Sequence, residues 1–310
     1  MPQLKILVPD DLGLEAFAIP STIEAIPYRP GQPFPPGHLD ATVVVVGYDN
    51  APAIGASFAE LPDLRLVQTL NAGFEQWLPL LPAGVMLSNG RGAHGGSSAE
   101  WVVAALLAVY RDLGAFSRHQ SEGVWRPKNT ETLIGKRVVV LGAGDLAFNL
   151  ASRLAPFETE VTLVGRRARP GVHALADVDG PLRMADAVVV MLPASEATRH
   201  IVDADFLARL RDGAVVVNAG RGASVDTDAL LAELNSGRLR AALDVTEPEP
   251  LPPGHPLWSA PGLLLTPHVA GSTNGAWERA WTVALRQIEA YGRGDQPPNL
   301  VAGPGAGASR

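Results

Sequence analysis

Cysteine is absent from the 310-residue chain, which excludes a disulfide framework, a thiolate nucleophile and any cysteine-ligated metal. There is no block of Lys or Arg, and the net charge is −7, so neither a nucleic-acid groove nor an anionic membrane surface is the expected partner. The expected partner is a small molecule. The longest apolar run, Trp101 to Tyr110, is too short to span a bilayer, and Pro2, Lys5 and Pro9 interrupt the N-terminus too early for a secretory core. A cytoplasmic location is the expectation. No solenoid-length repeat is visible. His38, His94, His119, His173, His200 and His255 have no neighbours at metal-ligand spacing, and no metal is expected.

What is present is a globular composition, 46% hydrophobic with 32 Gly and 27 Pro, in a chain long enough for two domains. Short apolar runs at Ile6 to Val8, Val43 to Gly47, Leu64 to Val67 and Val85 to Leu87 predict the strands of a first α/β unit. A second series predicts strands buried on both faces of a parallel sheet: Val138 to Leu141, Val161 to Val164, Ala187 to Leu192, Ala214 to Asn218, Ala241 to Val245 and Leu263 to Thr266. Between the series, Ser97 and Glu100 form a capping-box pattern ahead of a helix over Glu100 to Leu113. Asn274 to Tyr291 has helical length, and the Gly/Pro/Ala-rich tail from Gly292 to Arg310 is expected to fray. Trp101, Trp125, Trp258, Trp277 and Trp281 read as core or interface residues.

Val138 to Leu141 runs directly into Gly142-Ala143-Gly144-Asp145-Leu146-Ala147, followed by a helix-like stretch that ends near Pro156. Strand, glycine turn and helix in that order predict a dinucleotide site. Gly142 permits the turn, Gly144 lets a pyrophosphate approach the backbone, and the helix N-terminus, at Asp145 and Leu146, favours its charge. Ala147 replaces a commoner third glycine. An acid about 20 residues further on would bind the ribose hydroxyls of NAD. Instead Val164 is followed by Gly165-Arg166-Arg167-Ala168-Arg169, so Arg166 and Arg167 are expected to hold a 2′-phosphate. NADP(H) is the preferred cofactor in this reading, with NAD(H) possible.

Three further strand ends carry chemistry: Asn218-Ala219-Gly220-Arg221-Gly222, Asp244-Val245-Thr246-Glu247-Pro248-Glu249-Pro250 and Thr266-Pro267-His268-Val269-Ala270-Gly271. In a parallel sheet they share the edge where open α/β sheets bind ligands. Arg221 is suited to clamp a carboxylate, His268 to carry a proton, and Glu249 to hold the imidazole.

With Met191-Leu192-Pro193, Thr198 and Pro256-Leu257-Trp258 added in order, the chain resembles the D-2-hydroxyacid dehydrogenase family over nearly its whole length, most closely at its glyoxylate/hydroxypyruvate reductase-like branch. The resemblance implies a Rossmann doubly wound parallel sheet, residues 96–275, inserted into a smaller flavodoxin-like α/β substrate domain formed by residues 1–95 and 276–310. It implies that Arg221 orients a 2-oxo acid, that His268 is the acid/base and that Glu249 is its partner. Glu247 lies two residues too early, because the family's carboxylate precedes the later proline. The resemblance also implies that the amides of Ala72 and Gly73 receive the substrate carboxylate. Leu192, Pro193, Thr198, Asn218, Ala219, Gly220, Asp244, His268 and Gly271 are then expected to line the cofactor, and the protein to be a homodimer, with the Trp101 to Tyr110 helix a candidate interface.

The expected activity is hydride transfer between a nicotinamide and the 2-carbon of a small 2-oxo or D-2-hydroxy acid such as glyoxylate or hydroxypyruvate. Formate dehydrogenases pair the histidine with Gln, whereas Glu249 stands here. Phosphite dehydrogenases keep Arg, Glu and His and stay open as an alternative. So do the dinucleotide-sensing corepressors, although the short flanks offer no evident partner-binding segment.

Overall fold

The computed structural model describes residues 3–10, 19–47 and 51–306. Met1, Pro2 and the last four residues of the tail, on which parts of the terminal readings rest, lie outside the described residues. The chain divides into two compact units, Met1–His94 with Asn274–Arg310, and Gly95–Thr273.

The first unit holds β1 (Leu4–Pro9), β2 (Ile23–Tyr28), β3 (Val43–Val46), β4 (Leu66–Thr69) and β5 (Met86–Ser88), with β13 (Leu300–Ala302) and the helices α1 (Ala51–Ser57) and α8 (Ala276–Gly292). Its sheet order is β13-β5-β4-β3-β1-β2, parallel throughout except for the antiparallel β13. The first five strands thus follow the flavodoxin-like order. Alternate side chains face two cores. Leu7, Val44, Val46 and Val67 pack with Phe58 and Trp77, while Ile6, Val8, Val43 and Val45 pack under α8 against Trp281, Ala284 and Ile288.

The second unit holds α2 (Gly95–Tyr110), α3 (Leu113–Ser121), β6 (Arg137–Leu141), α4 (Asp145–Leu154), β7 (Glu160–Gly165), β8 (His173–Ala174), α5 (Asp179–Arg183), β9 (Ala187–Val190), α6 (Ala204–Ala208), β10 (Val215–Asn218), α7 (Thr227–Asn235), β11 (Arg240–Leu243) and β12 (Leu263–Leu265). Its seven strands are all parallel, in the order β12-β11-β10-β9-β6-β7-β8. From β6 the chain winds outward through β7 and β8, then returns to β9 on the other side. That reversal is the doubly wound switch point of a Rossmann sheet. Val139 and Leu141 face one core and Val138 and Val140 the other, so β6 is apolar without alternation.

The strands read from sequence lie within two residues of those observed, and the differences have physical causes. Leu64 is buried but closes a turn, its amide donating to Leu61; bonding to the neighbouring chain starts with the Arg65 amide on Thr42, and the strand register with Leu66 opposite Val43. The apolar run therefore starts before the strand. β2 escapes sequence reading because Pro27 interrupts it, which an edge strand tolerates. α2 begins at Gly95, ahead of Ser97, so the capping-box reading of Ser97 and Glu100 is wrong; the helix ends at Tyr110, and Asp112 at φ 54° separates it from α3.

The expectation of a frayed tail is also overturned. Leu300–Ala302 pairs with β5, and Asn299 is buried, donating from Nδ2 to the carbonyls of Asn89 and Arg91 at 3.0 and 2.9 Å. Its amide donates to Gln287 Oε1 of α8 at 2.8 Å. A glycine- and proline-rich composition hid an edge strand held by one asparagine. Among the tryptophans, Trp281 and Trp77 are core, whereas Trp125 is 96% exposed.

Candidate active site

The glycine turn leaves β6 at the switch point. Gly142 has φ 127°, and a Cβ there would lie 2.6 Å from the carbonyl oxygen of Met191, so only glycine fits this close approach. Gly144 is different: its backbone is extended, and a Cβ there would meet nothing within 4 Å. Among the described residues, none fills the space where that Cβ would stand. The amides of Asp145 and Leu146 follow in the first turn of α4 and donate no hydrogen bond among the described residues. Open backbone beside outward-facing amides at a helix N-terminus fits a pyrophosphate. The Asp145 carboxylate is turned elsewhere, its Oδ2 lying where a Cβ on Gly95 would be. Only its amide is placed for an anion. Ala147 is buried among Ala99, Val102 and Leu106 of α2, so its methyl is core filling.

The arginine cluster after β7 separates into two roles. Arg169 donates from Nη2 to the carbonyl of Ala143 at 2.6 Å, between the two glycines, and it exchanges backbone hydrogen bonds with Val172 across a Pro170-Gly171 turn. It is tied down by the loop it supports. Arg166 and Arg167 are exposed and make no hydrogen bond or ion pair among the described residues. They are the guanidinium groups available to a phosphate.

Glu249 Oε1 lies 2.5 Å from His268 Nδ1, and the two side chains are 39% and 34% exposed. The pair is reachable from solvent. His268 has φ 54°, and its loop is held by Asp244, which is 2% exposed. The Asp244 carboxylate accepts from Thr266 Oγ1 at 2.6 Å, from the Val269 amide at 2.8 Å and from the Ala270 amide at 2.9 Å; its carbonyl accepts the His268 amide at 2.7 Å. Asp244, expected beside the cofactor, thus has its carboxylate committed to the histidine loop. Sequence reasoning missed this role, although a charged residue ending an apolar strand was its signal.

Arg221 follows β10 and donates from Nη1 to the Gly220 carbonyl at 2.8 Å; Asn218 braces its turn by donating from Nδ2 to the Arg221 carbonyl at 2.8 Å and accepting the Gly220 amide at 3.1 Å. Ala219 donates its amide to Val190 at 3.2 Å. After β9, Leu192 and Pro193 lead into a turn closed by Thr198, whose Oγ1 donates to the Pro193 carbonyl at 2.7 Å. Gly271 ends the histidine loop, its carbonyl accepting the Thr273 amide at 3.1 Å. All these residues follow parallel strands of one sheet, so they share its carboxyl edge.

Ala72 and Gly73 belong to the first unit, in the turn after β4. Asn89 Nδ2 donates to the Ala72 carbonyl at 2.7 Å, while the amides of Ala72 and Gly73 donate to nothing among the described residues. Among those residues, no group of three or more His, Asp or Glu could hold a metal ion, and no helix is long and apolar enough to cross a membrane.

A doubly wound sheet with an anion-receptive glycine turn at its switch point and a carboxylate–imidazole pair on the same edge defines a dinucleotide-dependent oxidoreductase. Comparison with known proteins makes this specific. Residues 103–270 match the model of the D-isomer specific 2-hydroxyacid dehydrogenase NAD-binding domain. The chain belongs to the D-isomer specific 2-hydroxyacid dehydrogenase family and is an NAD(P)-dependent oxidoreductase. It is 31% identical over 255 residues to a glyoxylate reductase of Thermofilum pendens, covering 77% of this chain and 75% of the relative. Two solved structures share the fold. One is a D-isomer specific 2-hydroxyacid dehydrogenase from Xanthobacter autotrophicus Py2 in complex with NADPH and MES, with TM-score 0.82 and 31% identity, covering 96% of this chain and 98% of the other. The second is an NADPH-dependent glyoxylate/hydroxypyruvate reductase from Sinorhizobium meliloti in complex with NADP and sulfate, with TM-score 0.81 and 29% identity, covering 96% and 98%. The nicotinamide cofactor and the small 2-oxo or 2-hydroxy acid substrate class follow from the family.

Proposed function

We propose that the protein reduces small 2-oxo acids such as glyoxylate or hydroxypyruvate to D-2-hydroxy acids, with NADPH preferred over NADH. The observation that carries the acid–base part is the short His268–Glu249 contact at the carboxyl edge of the sheet. Support for the cofactor preference comes from the uncommitted Arg166 and Arg167 at the end of β7, and from the NADPH and NADP held by the two structural relatives.

In this reading the Gly142 to Leu146 backbone receives the pyrophosphate, and Arg166 and Arg167 bind the 2′-phosphate. Leu192, Pro193, Thr198, Asn218, Ala219, Gly220 and Gly271 line the cofactor, with Asp244 holding the loop above it. The bound nicotinamide supplies the hydride. Arg221 binds the substrate carboxylate and stabilises negative charge developing on the 2-oxygen. His268 donates a proton to that oxygen from Nε2, while Glu249 accepts the hydrogen bond from Nδ1–H and keeps the ring oriented. The amides of Ala72 and Gly73 are the proposed further donors to the substrate carboxylate.

A homodimer is proposed with the catalytic reading. Trp125, Leu113 and Ile134 expose large apolar side chains in the segment after α2, and sedimentation of the purified protein tests it. The decisive assay follows loss of reduced-nicotinamide absorbance, with NADPH and NADH separately, against glyoxylate, hydroxypyruvate, pyruvate and bulkier 2-oxo acids. Turnover of the small acids, faster with NADPH, is expected. Tight dinucleotide binding with no hydride transfer to any of them overturns the enzymatic reading.

A further inference from the structure

Glu247, which precedes Glu249 by two residues, is assigned no part in the chemistry above, yet it is the most heavily tethered carboxylate of its turn. Its Oε1 accepts from Arg199 Nη1 at 2.7 Å, and its Oε2 lies 3.0 Å from His200 Nε2. Its carbonyl accepts from Thr227 Oγ1 of α7 at 2.9 Å, and the neighbouring Thr246 Oγ1 donates to the Pro248 carbonyl at 2.8 Å. The contacts with His200 and then Arg199 hold the Glu247 carboxyl below the usual glutamate range, so it is anionic at neutral pH.

The partners of Glu247 lie on the other loops of the same edge. Arg199 and His200 directly follow Thr198, the residue that closes the turn after Pro193. The His200 amide donates to the Ala223 carbonyl at 2.8 Å, two residues after Arg221, with His200 at φ 47°. A Cβ on Gly222 would lie 1.9 Å from the Thr246 carbonyl oxygen, so the loop of Arg221 presses directly on the turn of Glu247. On the far side of the ring, His200 Nδ1 lies 3.8 Å from Asp226 Oδ2, and Asp226 caps α7 by accepting the amides of Asp228 and Ala229. The carboxylate therefore joins the loop that carries Thr198 to the turn that carries Glu249, and the backbone amide of His200 extends the link to the loop of Arg221. An ion pair with its carboxylate about one-third exposed adds little to global stability. Its consequence is geometric: two occupied oxygens and an anchored carbonyl fix where the chain turns toward Glu249.

We propose that Glu247 is a positioning residue, holding Glu249 in contact with His268 through its bonds to Arg199, His200 and Thr227. The proposal rests on the reading of Glu249 and His268 as the acid–base pair. The role is distinct from that of Glu249, because the side-chain hydrogen bonds and ion pairs of Glu247 go to Arg199 and His200 rather than to His268.

The test is a double-mutant cycle in the full-length enzyme with NADPH and glyoxylate. E247A is expected to lower kcat about 30-fold while the Kd for NADPH stays within about twofold, and E247Q, which keeps an acceptor for Arg199, to recover part of the loss. In an E249Q background E247A is expected to have almost no further effect, since its influence passes through Glu249. Wild-type kcat in E247A, or the same fold-loss in both backgrounds, overturns the proposal. Crystal structures of wild type and E247A give a readout that needs no substrate: the Glu249–His268 contact is expected to open beyond 3.5 Å. Its retention in E247A also overturns the proposal. An E249Q enzyme with full kcat, or no turnover of any 2-oxo acid, removes the catalytic reading instead, and those crystal structures then decide the role of Glu247 alone.

Discussion

Glu249 meets His268 through Nδ1, with Oε1 2.5 Å from the ring nitrogen. This leaves Nε2 as the atom that exchanges a proton with substrate in the proposed reaction. In the proposed reaction the carboxylate orients the ring and sets a negative charge beside it, two effects that separate when each partner is changed alone. His268→Ala is expected to lower kcat about 1,000-fold, and Glu249→Gln by less, because the amide still holds the ring but no longer matches its charge. NADPH affinity, measured by fluorescence titration, is expected to stay within about threefold in both, since neither side chain is assigned to the phosphates. Loss of NADPH binding in His268→Ala would remove that assignment.

Arg166 stands exposed at the end of β7 with no partner among the described residues. Arg166→Asp replaces a guanidinium by a charge that repels a 2′-phosphate. The ratio of kcat/KM for NADPH to that for NADH is expected to fall about tenfold or more, equivalent to about 1.4 kcal/mol. Arg169 is expected to behave differently. Because it holds the Ala143 carbonyl, Arg169→Met disturbs the glycine turn and weakens both cofactors. An unchanged ratio in Arg166→Asp shows that the loop points away from the cofactor.

Asp244 is buried and accepts three hydrogen bonds from the histidine loop. Asp244→Ala leaves the Thr266 hydroxyl and two backbone amides without an acceptor, at a cost of about 3 kcal/mol in unfolding free energy. Urea denaturation measures this. Activity is expected to fall further than stability alone explains, because His268 rides on the same loop. A fully stable Asp244→Ala protein contradicts the bracing role.

Glu247 gives a pH signature. Its carboxyl is held below the usual glutamate range by His200 and Arg199, so the folded form binds its proton less readily than the unfolded chain. The stabilising contribution is complete above the unfolded value of about 4.3 and disappears as pH falls through the lower folded value. Thermal unfolding followed between about pH 3 and 6 is expected to show a slightly shallower acid-side fall in Tm for Glu247→Gln than for wild type, small because the pair is partly exposed. An identical slope excludes Glu247 as a contributor.

The apolar strand runs, the glycine turn and the ordered strand-end motifs sufficed to place two α/β sheets and to bring Arg221, Glu249 and His268 to one edge. They suffice because a parallel sheet turns sequence order into spatial order: whatever follows a strand stands at its carboxyl end. Features set by partners distant in sequence were not legible. Composition suggested a loose tail, but Asn299 is locked by Asn89 and Arg91, some 210 residues away. Sequence reading set Arg166 and Arg167 toward a 2′-phosphate and left Arg169 without a role; the tertiary structure commits Arg169 to the glycine turn and leaves the other two exposed. Glu247 and Asp244 likewise acquired their roles from loops that the sequence places apart. Local pattern determines which strands form and what stands at their ends. Which of those groups is spent on holding the site, and which remains for chemistry, depends on hydrogen-bond partners that only folding brings within reach.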